Sequence, residues 1–415
     1  MIYAHVDITY FFIEEADRME KNKKSKKPTF MISSLLGVAL FSLIKKRCLS
    51  ESSKGATAKL KGEAKDTQET KDDSISAAGQ ERASAMSLLI SRIAVIKIDE
   101  RWGYIDHQGK PLIEPQFDYA DSFTKNGLAV ATMDEKYGYI NRKGIFVIGP
   151  RYDSAGAFAD NGLAAVKIGE KWGYIDQQGN LVIDPQFDDA FAFADHGLAV
   201  VKSRGKFGYI DRKGTYAVYP MFDGANEFAK NGLAAVKTGK TYGYINQRGI
   251  FVIIPKYDNA KTFSEHGLAA VKIGDRYGYI NEKGTFMIAP QFDSAHEFAD
   301  NGLAAVKEGN QWGYIDHKGS YAIDPQFDYA KSFTNRGMAA VKISNQYGYI
   351  NEKGAFVIVP RFDYAFEFAD DGLAVVIVGE KYGYINLKGA YFIDPKFDYA
   401  WNFSILEPEM FLNRD

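Results

Sequence analysis

Lys171-Trp172-Gly173-Tyr174-Ile175-Asp176 is a short strand with an aromatic, a glycine and a tyrosine at fixed places, and the chain repeats it. The aromatic-Gly pair returns at Trp102-Gly103, Tyr137-Gly138, Trp172-Gly173, Phe207-Gly208, Tyr242-Gly243, Tyr277-Gly278, Trp312-Gly313, Tyr347-Gly348 and Tyr382-Gly383. Every step is 35 residues, without insertion. A fixed period of this length marks a solenoid, a propeller or another array in which each unit buries its face only against its neighbours.

Working outward from Trp172, one unit reads as three strands and an irregular segment. Leu163 to Lys167 alternates apolar and polar, Lys171 to Ile175 follows a tight turn, and Leu181 to Ile183 is a third apolar run. Asp176-Gln177-Gln178-Gly179 joins the last two. Its aspartate can bond the turn backbone and its glycine can take the left-handed position. Pro185 is expected to end the third strand, because proline cannot donate to a ladder. Phe187 to Phe193 fits either one helical turn or an extended segment. Trp172 and Tyr174 face one way and Gly173 the other. A strand glycine costs roughly 0.5–1 kcal/mol relative to alanine, so something must approach closely over it.

Nine whole units fill residues 93–407. Four-stranded propeller blades usually need about 40–45 residues, and blade counts usually run from about four to eight. On those grounds the expected fold is all-β: an open, solenoid-like array of antiparallel three-stranded units, with a β-propeller as the alternative. The repeat lapses after Phe403, and residues 408–415 read as a C-terminal cap over an exposed end.

The aromatic-Gly-Tyr-Ile strand, the Asp/Asn-x-x-Gly turn, Ile-x-Pro-x-Phe-Asp-x-Ala and Gly-Leu-Ala-x-Val together resemble the bacterial WG-repeat (KWG-type) family. The resemblance covers about three-quarters of the chain. Before the glycine only Trp102, Trp172 and Trp312 are tryptophan, and Tyr or Phe keeps the packing role in the other copies. The resemblance implies a β-rich repeat module found beside varied partners and envelope segments. It implies no shared reaction.

The 415 residues carry a formal net charge of -2, which argues against a nucleic-acid partner. Cys48 is the only cysteine, so neither an intrachain disulfide nor a cysteine metal site can form. Residues 1–28 are a basic N-terminal segment in which Met19 would be a natural start. Residues 29–47 hold the apolar run 30–44 between Lys21–Lys27 and Lys45–Arg47, the pattern of a signal anchor or signal. At 15 residues it is short of the roughly 20 that span a bilayer. Residues 48–92 are polar, free of aromatics and read as a disordered tether. The expected placement is membrane-anchored through residues 30–44 or exported in a bacterium, with a cytoplasmic protein as the alternative.

Chemistry is sparse. No catalytic, cofactor or metal residue can be defended, and the expectation is a protein that is not an enzyme. The six histidines fall at scattered repeat positions, which predicts no ligand cluster. The aspartate row from Asp118 to Asp398 reads as local backbone bonding rather than an ion site. The tyrosine row from Tyr104 to Tyr384 reads as core, with a sugar-stacking ladder as the other reading. Lys143, Lys213, Arg248, Lys283, Lys318, Lys353 and Lys388 precede the turn glycine and would form a basic row able to attract acidic polymers. The function expected is a non-enzymatic scaffold for protein interaction, associated with the envelope. The alternative is a glycan- or cell-wall-binding protein whose partner is an envelope polysaccharide.

Overall fold

A computed structural model describes residues 91–406. The segments 1–28 and 29–47, the tether as far as residue 90 and the cap 408–415 lie outside the described residues. Within them the chain forms nine antiparallel sheets, one per repeat step. The second sheet shows the plan. Tyr119–Ala120, Ala129–Met133, Lys136–Ile140 and Phe146–Tyr152 pair in that order, so each unit has four strands. The segment left undecided by the sequence is extended and supplies the first strand, which is two residues long in seven of the eight sheets that follow the first. One residue, such as Asp118, separates the last strand of one sheet from the first strand of the next. This economy is how 35 residues build a four-stranded blade.

The array is not open. The first sheet begins with Ser91–Ile98, Arg101–Asp106 and Pro111–Phe117, and it lacks a first strand of its own. Tyr399–Ala400 fills that place: Ile96 faces Ala400 and Lys97 faces Tyr399. Ser404–Leu406 then pairs with Ser91–Ile93. The two ends of the repeat array share a sheet, and nine blades close into a ring, a nine-bladed β-propeller. This corrects the open array. Residues 404–406 close the ring as a strand. Blades are numbered 1–9 from that shared sheet.

Blade packing follows from the alternation of side chains. In blade 2, Val130, Tyr139, Ile148 and Tyr152 lie on one face, and Ala120, Ala131 and Gly138 on the other. The large face of blade 2 packs on Ala155, Ala164, Val166 and Ile175 of blade 3, and this large-on-small contact recurs round the ring. A Cβ added to Gly173 would stand 2.4 Å from the Ile183 carbonyl oxygen and 2.8 Å from the Pro185 nitrogen. The close approach expected over the glycine is therefore made by backbone of the next strand, at a register shift between Trp172 and Tyr174. Pro185 does not end that strand, which runs from Leu181 to Phe187. It sits on the last strand of its sheet, where a missing donor is tolerated.

Candidate functional site

The repeated residues are used up in holding the ring. The nine tyrosine hydroxyls each donate to a backbone carbonyl in the next blade: Tyr104 to Asp121 at 2.7 Å, Tyr174 to Phe191 at 2.7 Å, and so round to Tyr384 and Trp401 at 2.6 Å. Tyr104, Tyr139, Tyr174, Tyr244, Tyr279, Tyr314, Tyr349 and Tyr384 are fully inaccessible, with Tyr209 nearly so. Burial holds the Tyr174 phenol well above its ordinary pKa. The row is core, and a sugar ladder cannot be built from it.

The aspartate row is also structural. In all nine copies the carboxylate accepts an N–H from the hairpin of the following blade, as from Gly169 to Asp153 at 2.6 Å and Gly239 to Asp223 at 2.7 Å. Where the preceding aromatic-Gly strand opens with a cation, that cation can pair with the same carboxylate, as Lys171 does with Asp188 at 2.6 Å and Arg276 with Asp293 at 2.6 Å. These contacts hold Asp153 and Asp188 below the usual carboxylate range, the lysine hydrogen bond contributing most. The Asp/Asn-x-x-Gly turns form as expected: Gln178 N–H donates to Asp176 at 3.0 Å and Gly179 has φ +82°.

The aromatic before each glycine divides by blade. Trp102, Trp172, Trp312, Tyr347 and Tyr382 are buried, whereas Tyr137, Phe207, Tyr242 and Tyr277 are half-buried. For all but Trp172, whose counterpart is Asp189, the difference lies in the first strand of the next blade. Tyr119 lies 5.3 Å from Trp102, Tyr329 lies 5.5 Å from Trp312 and Tyr364 lies 4.9 Å from Tyr347. Ser154, Gly224, Asn259 and Ser294 stand at the corresponding places for the four half-buried rings. Three of those rings carry an ammonium: Lys202 over Phe207, Lys237 over Tyr242 and Lys272 over Tyr277, at 5.2, 5.6 and 5.8 Å.

A second set of groups escaped the sequence reading. Asp121, Lys261, His296 and Lys331 are buried at one repeat position, next to the partly buried glutamates Glu227 and Glu297. At the same position Phe366 and Trp401 have ring centres 6.1 Å apart. Equivalent points that far apart in a nine-membered ring lie about 9 Å from its axis, so this position faces the central channel. Burial raises Asp121 to about 6 and Glu227 to about 7, and it pushes His296 well down, helped by Lys261 and Lys331. The signal was in the sequence: this is the position where Asp, Gly, Phe, Asn, Lys, His and Trp replace one another among otherwise repeated neighbours.

The histidines are closer than their spacing suggested. His266 and His317, from adjoining blades, have ring centres 4.6 Å apart, and His266 Nε2 lies 2.9 Å from the Ala299 carbonyl. The two rings meet because a loop of one blade faces a turn of the next. Among the described residues no group of three or more metal-ligating side chains is assembled.

The seven basic turn residues Lys143, Lys213, Arg248, Lys283, Lys318, Lys353 and Lys388 are set on the turns that join the last two strands of their blades, and Arg248 lines a shallow cavity. That cavity, of about 400 Å³, opens between blades 4 and 5 and is lined by His196, Lys230, Asn231, Gln247, Arg248 and Ile250 among others. Beyond Ile250 lies the last strand of blade 5, Phe251–Tyr257, and the last strand of blade 4 is Tyr216–Phe222. Their outward side chains are apolar apart from Lys256: Tyr219 is 73% exposed and Ile254 68%. Among the described residues no helix is long and apolar enough to cross a membrane. The apolar run 30–44 lies outside them.

The family model for the WG containing repeat matches residues 102–137, 137–172, 172–207, 207–242, 242–277, 277–312, 312–347, 347–382 and 382–404. No curated protein matches the chain. Among solved structures, "Crystal structure of the eukaryotic initiation factor" is similar with a TM-score of 0.56 at 11% identity, over 76% of this chain and 98% of that one. That likeness agrees with a closed propeller and speaks to fold alone. Apo AztD from Citrobacter koseri (TM-score 0.37, 14% identity, 64% of this chain and 93% of that one) and Hsv2p from Kluyveromyces lactis (0.36, 8%, 68% and 98%) are more distant.

Proposed function

The chain belongs to the WG-repeat family, and on that premise we propose that its propeller is a non-enzymatic binding scaffold for protein partners. One observation carries the reading. The residues that repeat are spent on joining blades, while large apolar side chains that do not repeat, Tyr219 and Ile254 foremost, are left on the outside. Exposed apolar groups that do nothing for the ring cost solubility, and clusters of them mark interaction surfaces. The basic-flanked run 30–44 supports placing this scaffold at a bacterial envelope.

A polysaccharide partner is the second reading, favoured by the basic row on the turns. It would bind through charge and weaken with salt. The full chain is incubated with separated envelope protein and polysaccharide at low and high salt, alongside a Lys283→Gln, Lys318→Gln, Lys353→Gln variant. Salt-resistant capture of a discrete protein by both chains is the expected result. Retention by polysaccharide alone, lost in salt and in the variant, would replace the scaffold with the glycan reading.

A further inference from the structure

The propeller offers the same outer edge nine times, so departures from the repeat single out a place. The residue before each edge-strand proline is exposed in every blade. It is acidic at Glu114, Asp184, Asp324 and Asp394, and small at Gly149 and Ala289. It is large and apolar only at Tyr219, Ile254 and Val359. Val359 has Asp324 and Asp394 in the flanking blades, whereas Tyr219 and Ile254 stand in neighbouring blades. Met221, Val252 and Ile250 extend the exposed apolar surface around them.

The cavity between blades 4 and 5 runs into this surface through Ile250, which belongs to both. At most other junctions the places held here by His196, Lys230, Gln247 and Arg248 include an acid, such as Asp300 beside His266 or Glu352 beside Asn301; the junction of blades 1 and 2 is also basic, with Lys125, Arg142 and Lys143, but it lacks the large apolar pair. None of the residues lining this cavity is acidic. Lys230 is held by Glu265, and Asn231 donates to Glu282 at 3.1 Å. Arg248 makes no ion pair among the described residues. The strand Phe251–Tyr257 is the last in its sheet, so its outer N–H and C=O groups before Pro255 pair with no described strand.

Resting on the scaffold reading, we infer that the rim of blades 4 and 5 takes an extended peptide segment of a partner protein, laid along residues 251–254, with apolar side chains on Tyr219 and Ile254 and a carboxylate at Arg248. Strand addition supplies main-chain hydrogen bonds, and the alternating side chains supply selectivity. A basic cleft at one end of an apolar edge complements a segment that is both apolar and acidic. Pro255 limits the pairing to the first half of the strand.

The test is selection of a random peptide display library on the full chain, repeated on full-chain Ile254→Asp and Arg248→Glu variants whose melting temperatures match the parent. Enriched peptides should combine β-branched or aromatic residues with Asp or Glu. Their binding should fall about tenfold or more in either variant, as for a central contact residue, and fail when a proline is placed mid-peptide. Peptides that bind the parent and both variants equally would overturn the site while leaving the scaffold reading standing. Enrichment of basic or purely polar peptides would overturn the chemistry. No enrichment would overturn strand addition at this edge, and the fractionation experiment would still decide the scaffold. A photocrosslinker at residue 252 that joins it to residues 30–44 or to a second copy would replace the partner protein with that occupant.

Discussion

The carboxylate of Asp398 accepts the backbone N–H of Asp99 at 2.8 Å across 299 residues of sequence. It is the same contact that Asp153 makes with Gly169 only 16 residues away. Asp398 also pairs with Lys381, and its N–H donates to the Lys97 carbonyl at 2.9 Å. The ninth step of the ring is thus made like the other eight, and that equivalence can be measured.

Asp398→Ala should destabilise the protein by about as much as Asp153→Ala, on the order of 1 kcal/mol for each partly exposed charge-assisted contact. Both carboxyls are held below the usual range, first by their lysine hydrogen bonds. Their stabilisation is therefore present above the unfolded value near pH 4 and lost as pH falls through the folded one. Thermal melts at pH 7 and pH 3 would show equal deficits that shrink together. A silent Asp398→Ala beside a damaging Asp153→Ala would mean that the ring is open.

Asp121 should behave in the opposite sense. Burial raises it to about 6 while Ser122 N–H donates to it at 2.7 Å. The neutral form is favoured, so the stability it confers is full below about pH 4 and lost as pH rises through 6. At pH 8 the buried charge costs about 2–3 kcal/mol. Asp121→Asn keeps an acceptor for Ser122, so chemical denaturation should find it more stable than the parent at pH 8 and equal to it near pH 4.

Tyr174→Phe keeps the buried ring and removes the donor to the Phe191 carbonyl. A loss of about 1–2 kcal/mol is expected in a denaturant titration, and Tyr174→Ala should cost about 3–5 kcal/mol through the cavity it leaves. Tyr219→Ala, at an exposed ring, should stay within about 0.5 kcal/mol. Comparable losses at Tyr219 would tie that side chain to the ring after all.

Two glycines give a sharper contrast. Gly173→Ala would drive a methyl into the backbone of Ile183 to Pro185, and a loss of more than about 2 kcal/mol is expected. Gly149 has nothing within 4 Å of an added Cβ. Gly149→Ala should be neutral or stabilise by up to about 1 kcal/mol, through the unfolded chain. Melting temperatures of the two variants suffice.

Much of this was legible along the chain. The period, the turns and the strand from Trp172 to Ile175 follow from local rules, in which Asp176 and Gly179 select their own turn. The two-residue strands were not legible. Ser154–Ala155 shows no alternation worth reading and exists because Ala164–Ile168 offers it an edge. Count and length also misled. Nine units of 35 residues looked too many and too short for a propeller because a single linking residue such as Asp118 could not be foreseen.

The sequence by itself determined most of the unit: its three longer strands, its glycine and tyrosine, and the number of copies. It did so because each of these is set by interactions between near neighbours in the chain or by the same interaction repeated. Whether the copies ran on or closed was decided only in three dimensions. The angle between neighbouring blades is small and set by how a large face sits on a small one. Nine such angles had to bring Tyr399 to Lys97 and Ser404 to Ile93 before the last edge could pair. The same closure brought Lys261, His296 and Lys331 to one channel wall, and it left Tyr219 and Ile254 exposed on the last strands of neighbouring blades.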